Sequence, residues 1–308
     1  MTVWLRVVGQ IAVTVIRRLA HGRAVLLVLL VAAPGCAASK AGPKLDRSRL
    51  ELAFSEDFKQ PPRFYDPVKA PDARWKTNFW FSIQGTADPG GWEARTLRPN
   101  KELQYYGDPL HGMNPFQWRR GALDIVADRN PYRGDPITNN LPYLSGLLTT
   151  ERSFSQRYGY FEARITMPVG KGLWPAFWLL PTPSVKGGWA QPKGQQEIDI
   201  FENIGQPDEL WLTLHHDIGG KKVGDGEKIT GIAVGRAHTY GLLLTKSEII
   251  WYVDDREVRR RANTDFHEPA YMLINLAVGG AWPGNPDAST TFPARMSVNW
   301  VRAYRLKR

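Results

Sequence analysis

Residues 240–253 read YGLLLTKSEIIWYV, and their pattern is the clearest indication of the fold class. Two runs rich in apolar and aromatic residues, at 240–245 and 248–253, are separated only by a Lys-Ser pair. Two such runs joined by a two-residue connection are typical of a β-hairpin. The stretch therefore predicts two antiparallel neighbouring strands.

Period-two alternation, the mark of a strand, recurs on both sides of this hairpin. Residues 160–167 read YFEARITM and predict one strand, and residues 296–304 predict another. One face of this last strand is predicted to hold Met296, Val298, Trp300 and Tyr304. Turn signals recur about every ten residues, the Asp-Asp pair at 254–255 among them, and no amphipathic helix of three turns or more is evident after residue 40. The sequence predicts an all-β antiparallel sandwich.

The composition agrees with this fold class. The 308 residues are 43% apolar, enough for a substantial core, and include 12 Trp, 11 Tyr, 12 Phe, 29 Gly and 23 Pro. This mixture suits aromatic side chains presented on strands and loops, and it argues against disorder. One domain is predicted at residues 53–308, after a small and charged linker at residues 39–52.

The net charge of +10 would suit a nucleic-acid-binding protein, but its location argues against that class. Residues 1–35 hold four arginines and no acid, so a chain cleaved there carries 10 − 4 = +6. The remaining basic residues lie in short mixed clusters such as 259–261, RRR, which are predicted to be solvated. No nucleic-acid partner is expected.

Residues 1–38 have the features of an export signal. Arginines precede the apolar run at 24–33, which is too short to span a bilayer and is followed by small residues around Cys36. Two interpretations of Cys36 stay open. It is either the acylated first residue of a lipoprotein or an unmodified residue near an ordinary signal-cleavage site. As the sole cysteine, it excludes internal disulfides and cysteine metal clusters. We expect export, to the periplasm or the medium, with membrane attachment only through a lipid anchor at Cys36.

The most informative stretch for chemistry is residues 196–203, QEIDIFEN. On a regular strand Glu197 and Asp199 share one face, while the isoleucines point to the other. Glu202 joins the acidic face only if a β-bulge absorbs one extra residue, and bulges are over-represented next to active sites. The stretch therefore predicts a bulged strand with three acids on one face.

Three clustered acids suit glycoside hydrolysis with retention. One carboxylate must attack the anomeric carbon, and another must be protonated to assist the leaving oxygen. The negative charge of Asp199 is predicted to raise the pKa of Glu202 and keep it protonated, while Glu197 stays ionised. Retention needs carboxyl groups about 5–5.5 Å apart, whereas five residues of extended strand span about 16 Å. The bulge and strand curvature must therefore bring Glu197 and Glu202 together.

The residues alone leave two further roles open for the acids. Acids at i and i+2 on a strand commonly form a solvated face. A metal site is the other alternative, with His215 and His216 joining Glu197 and Asp199, but no His-x-x-x-His or comparable spacing supports it. No catalytic metal or other catalytic cofactor is expected.

The stretch Glu197–Glu202 matches the Glu-x-Asp-x-x-Glu signature of glycoside hydrolase family 16, and the chain resembles that family from about residue 54 to its end. Further motifs follow in the family's order, at residues 145–150, 158–164, 172–181, 251–254, 275–284 and 301–304. The resemblance implies a jelly-roll β-sandwich of two curved antiparallel sheets with a concave substrate cleft. It also implies that a structural Ca²⁺ is sometimes present.

The resemblance assigns Glu197 as the nucleophile, Glu202 as the acid/base and Asp199 as the assisting acid. The bulged spacing is similar to the branch that includes laminarinases and agarases. Departures from common laminarinase-like residues occur at Leu147, Gln196 and Phe201. The chain also resembles bacterial glycanases that trim acidic exopolysaccharides such as succinoglycan. The implied substrate is a β-1,3 or β-1,3-1,4 glucan, or such an exopolysaccharide, cut by endo action.

Sugar-binding residues are predicted among the aromatic side chains. Trp174 and Trp178 share one face of a strand, and the resemblance places that face in the cleft, where indole rings stack on sugars. The other predicted contacts are Trp189, His215 and Trp282. A place in the core is the plain alternative for each strand tryptophan, and a structural role is the alternative for His215.

Three functions remain to be separated. The first is an endo-acting hydrolase that works as a monomer on a polysaccharide. A transglycosylase would share the covalent intermediate but pass the sugar to another sugar. A non-catalytic lectin is disfavoured because all three acids are present. Glu102 and Gln104 also resemble a family segment, and structural roles are expected there.

Overall fold

The computed structural model of the chain describes residues 42–80, 92–182, 196–218 and 221–307. Helix within these ranges is confined to 3-10 turns at Arg47–Arg49, Trp92–Ala94, Arg98–Asn100, Pro109–His111 and Pro136–Thr138. The strands, in chain order, are β1 Leu50–Glu56, β2 Gln104–Tyr106, β3 Phe116–Arg119, β4 Ala122–Arg129, β5 Tyr143–Ser145, β6 Leu147–Thr149, β7 Gly159–Thr166, β8 Leu173–Pro181, β9 Glu197–Glu202, β10 Glu209–Ile218, β11 Lys221–Thr230, β12 His238–Leu244, β13 Glu248–Val253, β14 Arg256–Ala262, β15 Ala270–Val278 and β16 Ala294–Leu306. The described part of the chain contains no helix with the length and apolar character of a membrane span.

The strands form two sheets, which confirms the predicted all-β sandwich. The larger sheet has the order β14-β13-β12-β7-β16-β4-β5-β2, with β1 beside β16 and β3 beside β4. The smaller sheet has the order β11-β10-β9-β8-β15-β6. Neighbouring strands pair antiparallel, except that β2 and β5 run parallel.

The main core is built from the inward faces of both sheets. Fully buried residues of this core include Phe161 of β7, Phe177 of β8 and Ile274 of β15. Because side chains alternate along a strand, Trp174 and Trp178 take the opposite face of β8. That face of the smaller sheet is the one on which the acids of β9 lie.

The predicted hairpin at residues 240–253 is confirmed as β12 and β13, with Tyr240 opposite Val253. The predicted turn follows, and Asp254 and Asp255 both adopt left-handed backbone conformations there, with φ of 48° and 64°. Short acidic side chains tolerate this conformation because they bond to nearby backbone groups. The strand at 160–167 is confirmed as β7.

The predicted face of the last strand is wrong beyond its midpoint. The register between β16 and β7 shifts between Val298 and Trp300. After this irregularity Val301 and Ala303 are buried, whereas Trp300 and Tyr304 are partly exposed. A bulge reverses which alternate residues face the core, and simple alternation did not reveal it.

The predicted domain boundary at residue 53 lies too late in the chain. Leu45 is buried, and β1 begins at Leu50 within the predicted linker. Arg47 bonds to the fully buried carboxylate of Glu162 at 2.7 Å and to Asp255 at 2.6 Å. Arg47, a charged residue of the predicted linker, therefore pairs with a buried acid of β7 and with Asp255 in the turn between β13 and β14. The export signal and Cys36 lie outside the described residues.

The predicted solvation of the arginine cluster is also wrong for one member. Arg259 has a fully buried side chain, because the register of β13 and β14 shifts beside Trp251. Arg260 pairs with Glu248 and Glu257 on the surface. The three consecutive arginines therefore occupy two different environments.

Candidate active site

A β-bulge in β9 organises the site. On the neighbouring β10, Thr213 lies opposite Asp199 and Trp211 lies opposite Glu202. Ile200 and Phe201 of β9 thus lie opposite the single residue Leu212 of β10, and Ile200 is the extra residue of the bulge. The pairing of β9 with β8 shifts at the same place. The bulge predicted from the acid spacing is confirmed.

The bulge brings the three acids of β9 to the outer face of the smaller sheet. Asp199 is only 2% exposed, whereas Glu197 and Glu202 remain partly open. His215 Nε2 lies 3.3 Å from Asp199 Oδ2 and 3.5 Å from Glu197 Oε1. Glu202 accepts a hydrogen bond from Trp174 Nε1 at 3.0 Å. The three acids therefore lie together with His215 and Trp174 on this face.

Glu202 differs electrostatically from an ordinary glutamate. Burial raises the pKa of Glu202 well above its usual value, and the negative charges of Asp199 and Glu197 raise that pKa further. The hydrogen bond from Trp174 opposes this change because it favours the charged form. The predicted direction is confirmed, but removal from water contributes more than charge crowding. A carboxyl that keeps its proton near neutral pH suits a general acid.

Three indole rings form an aromatic wall beside Glu202. Trp174 and Trp282 meet edge to face with centroids 5.5 Å apart, and Trp282 meets Trp211 at 5.4 Å. Trp282 is 39% exposed, so part of its ring is open to a ligand. Lys228 Nζ lies 5.9 Å from the Trp211 ring. Trp211 was not among the predicted sugar contacts. Its position four residues before His215, on the same face of β10, could have predicted it.

Trp178 occupies a different environment from the one predicted for it. Its residue is 7% exposed and packs edge to face against Phe79, with centroids 6.1 Å apart. Its Nε1 donates to Asn275 Oδ1 at 2.7 Å, and Asn275 in turn donates to the Tyr106 hydroxyl at 3.0 Å. A ring covered in this way does not present a stacking face to sugar. The predicted sugar contact at Trp178 is therefore corrected to support beneath the cleft.

Glu102 and Gln104 have the structural roles expected of them. Glu102 accepts hydrogen bonds from Asn100 Nδ2 at 3.1 Å and Gln104 Nε2 at 2.6 Å. Gln104 Oε1 accepts from the Val278 N–H at 2.7 Å. Burial raises the pKa of Glu102 to about 7. This network holds the end of β15, from which the loop carrying Trp282 departs.

The neighbouring residues His215 and His216 have different partners. His215 lies with Glu197 and Asp199, and their ligand atoms fall within 4.8 Å of one another, a spacing that could accommodate a metal ion. His216 instead pairs with Asp265 at 2.9 Å, away from this group. The predicted alternative of a four-ligand metal site is therefore not assembled. Trp189 lies outside the described residues.

Paired glutamates beside an aromatic wall, on the open face of a β-sandwich, define a carbohydrate-active class of protein. The model of glycosyl hydrolases family 16 matches residues 112–302, more than half of the chain. The chain belongs to this family.

Curated relatives named as β-glycanases and a β-glucanase match most of the chain. The endo-1,3-1,4-beta-glycanase EglC of Rhizobium meliloti (strain 1021) is 36% identical over 271 residues, 85% of this chain and 53% of that protein. The endo-1,3-1,4-beta-glycanase ExsH of the same organism is 35% identical, with the same shares covered. This chain thus spans about half the length of these two relatives. The beta-glucanase of Rhodothermus marinus is 35% identical and covers 75% of this chain and 84% of that protein.

Solved structures confirm the jelly-roll architecture. The laminarinase catalytic domain of Thermotoga maritima superposes with a TM-score of 0.65 and 28% identity, covering 84% of this chain and 99% of that chain. The non-specific endo-β-1,3(4)-glucanase SCLam superposes with a TM-score of 0.66 and 25% identity, covering 87% of this chain and 96% of that chain.

Proposed function

We propose that this protein is an endo-acting, retaining hydrolase of β-1,3 or β-1,3-1,4 glucans. The observation that carries the proposal is the bulge in β9, which places Glu197, Asp199 and Glu202 on one face beside the aromatic wall. The raised pKa of Glu202 supports its role as the acid. Relatives named as endo-1,3-1,4-beta-glycanases and laminarinases support the substrate class.

The proposed reaction has two displacements. In the first, the Glu197 carboxylate attacks the anomeric carbon, and Glu202 gives its proton to the glycosidic oxygen as that bond breaks. In the second, the ionised Glu202 takes a proton from water, and the oxygen of that water displaces Glu197 from the sugar. Asp199 raises the proton affinity of Glu202 through its charge and lies within 3.3 Å of His215 Nε2.

The aromatic wall supports binding of the departing sugar. Trp174 contacts Glu202 directly, and Trp282 and Trp211 extend the wall from there. Because Glu202 protonates the leaving oxygen, rings beside it are placed to stack on the leaving part of the polymer. Such stacking requires no particular linkage, which fits the mixed linkages in the names of the relatives.

The first test is activity of the purified protein on laminarin, mixed-linkage glucan, agarose and succinoglycan. We expect endo-type products from at least one glucan, and we expect Glu197→Gln to lower kcat/KM by about 10³-fold or more because the nucleophile is lost. Glu268→Gln is the matched control, since Glu268 has an exposed side chain at the surface. Parent-like cleavage by Glu197→Gln would contradict the assignment.

Azide separates the two glutamate roles. On an activated aryl glycoside, Glu197→Gly should accept azide in place of the nucleophile, expel the phenolate and give the α-glycosyl azide. Glu202→Gly should form the Glu197 intermediate first and then give the β-glycosyl azide. Exchanged product configurations would reverse the roles. Chromatography of polymer digests distinguishes hydrolysis from the transglycosylase alternative, which lengthens products.

We further propose that the protein is exported, because a polymeric substrate lies outside the cell. We also propose that it acts as a monomer without a catalytic cofactor. Cell fractionation tests export, and labelling with an alkyne fatty acid tests acylation of Cys36, with Cys36→Ser as the control.

An acidic exopolysaccharide such as succinoglycan is the second substrate candidate, supported by the charge of +6 that remains after removal of residues 1–35. Bound Ca²⁺, if structural, would raise the thermal unfolding midpoint without changing kcat.

A further inference from the structure

Arg259 is a fully buried arginine outside the acid cluster. It belongs to β14, the edge strand of the larger sheet, yet its side chain is 0% exposed. The register shift between Trp251 and Tyr252 on β13 turns it toward the smaller sheet. Burying a guanidinium costs several kcal/mol unless its donors are used, so its contacts show what it does.

Those contacts lie directly behind the bulged strand. Arg259 Nη1 donates to the Leu212 carbonyl at 2.6 Å, and Nη2 donates to the Asp225 carbonyl at 2.9 Å. The guanidinium also lies 4.7 Å from the centre of the Trp251 ring, where a cation is attracted to the indole. Trp251 Nε1 in turn donates to the Asp199 carbonyl at 2.8 Å.

The carbonyls of Leu212 and Asp199 both lie at the bulge. Leu212 is the residue of β10 between Trp211, opposite Glu202, and Thr213, opposite Asp199. A bulge disrupts the hydrogen-bond ladder locally, and buried carbonyls beside it need other donors. The guanidinium and the indole N–H supply two such donors from inside the sandwich, one to each of the paired strands.

We propose that Arg259 is a positioning residue that, with Trp251, fixes the β9–β10 bulge and thereby the placement of Glu202 relative to Glu197. The role rests on the proposed function of those glutamates. Arg259 acts through the backbone of β10 and through the Trp251 ring, on the core side of the sheet whose outer face binds substrate.

Arg261 offers a matched control. Arg259 pairs with Asp225 at 2.7 Å and Glu227 at 3.4 Å, and Arg261 bonds to the same carboxylates at 2.9 and 3.0 Å. Arg261→Met therefore removes ion pairs to these acids but leaves the Leu212 and Trp251 contacts. Arg259→Met removes both kinds of contact.

The test compares kcat, KM and the pH profile of kcat/KM at a temperature at which circular dichroism shows each variant to be folded. We expect Arg259→Met to lower kcat about 10- to 100-fold, with KM within threefold, and to displace the alkaline limb of the profile. Arg259→Lys should recover part of the loss, because it keeps a buried donor. Arg261→Met should stay within twofold of the parent.

Arg259→Met with parent-like kcat and pH profile would overturn the proposal, and so would an equal loss in Arg261→Met. If Arg259→Met does not fold, Trp251→Phe replaces it, since this change keeps an aromatic ring and removes the N–H to Asp199. The same kcat-specific loss is expected, and its absence would also overturn the proposal. An inactive parent, or an active Glu197→Gln, would instead refute the proposed function.

Discussion

Two opposing influences act on the carboxyl group of Glu202. Burial and neighbouring negative charge raise its pKa, and the N–H of Trp174 lowers it. Trp174→Phe removes the lowering influence, so Glu202 should stay protonated to higher pH. We expect the alkaline limb of kcat/KM to move upward, measured from pH 5 to 10. Trp282→Phe, which leaves the Trp174 bond intact, should not move the limb, and a downward shift in Trp174→Phe would contradict this expectation.

Trp282 is the residue of the aromatic wall with the most open ring that the structure describes. Aromatic contacts are worth about 0.5–1.5 kcal/mol beyond simple burial, so Trp282→Ala should raise KM for a polymeric glucan about 3- to 10-fold, with a smaller change in kcat. Trp118→Ala is the control, because Trp118 is similarly exposed, at 41%, but lies on β3 of the larger sheet. Equal KM values for the two variants would argue against sugar stacking at Trp282.

The bulge of β9 can be tested by deletion of one residue from the strand. Removing Ile200 restores regular alternation, so that all three acids still face outward and Phe201 still faces the core. We expect this variant to fold, because each remaining side chain keeps its inward or outward face. We expect it to lose activity about 100-fold or more, because Glu202 moves relative to Glu197 and to the N–H of Trp174 that bonds to it.

Deletion of Ile198 is the matched control for that experiment. It also removes one buried isoleucine, but it drives the Asp199 side chain toward the core, where an unpaired carboxylate is costly. This variant should fail to fold or should melt far below the Ile200 deletion in a thermal unfolding scan. Equal stability of the two deletion variants would show that the alternation of inward and outward side chains along β9 does not determine stability.

Glu102 links the stability of the folded protein to pH. Its pKa is about 7 in the folded protein, against about 4.3 in an unfolded chain. Between these values the folded state holds a proton that the unfolded state has released, so the free energy of unfolding falls as pH rises. The fall amounts to at most about 4 kcal/mol from this group.

Urea unfolding at pH 4 and pH 8 tests this linkage. Glu102→Gln does not titrate, so the loss of stability between the two pH values should be smaller in this variant than in the parent. Glu268→Gln, at an exposed position, should behave as the parent does. An unchanged difference in Glu102→Gln would show that another group governs the pH dependence.

Much of the fold and the acid cluster could be predicted from neighbours along the chain. The hairpin at 240–253 follows from two alternating runs and a short connection, and the bulge follows from the parity of Glu197, Asp199 and Glu202. Both features depend on backbone geometry within a few residues. The polymer substrate and its linkage have no such local signature.

The order of residues along the chain was therefore enough to predict the class of fold and the three acids. Alternation along a strand shows which side chains share a face, whatever packs against that face. Which residues those faces contact depends on tertiary packing. Phe79 covers Trp178, the register shift between β13 and β14 turns Arg259 inward behind Leu212, and burial more than charge raises the pKa of Glu202. These outcomes depend on groups far apart in sequence, and removal from water is a property of the packed molecule.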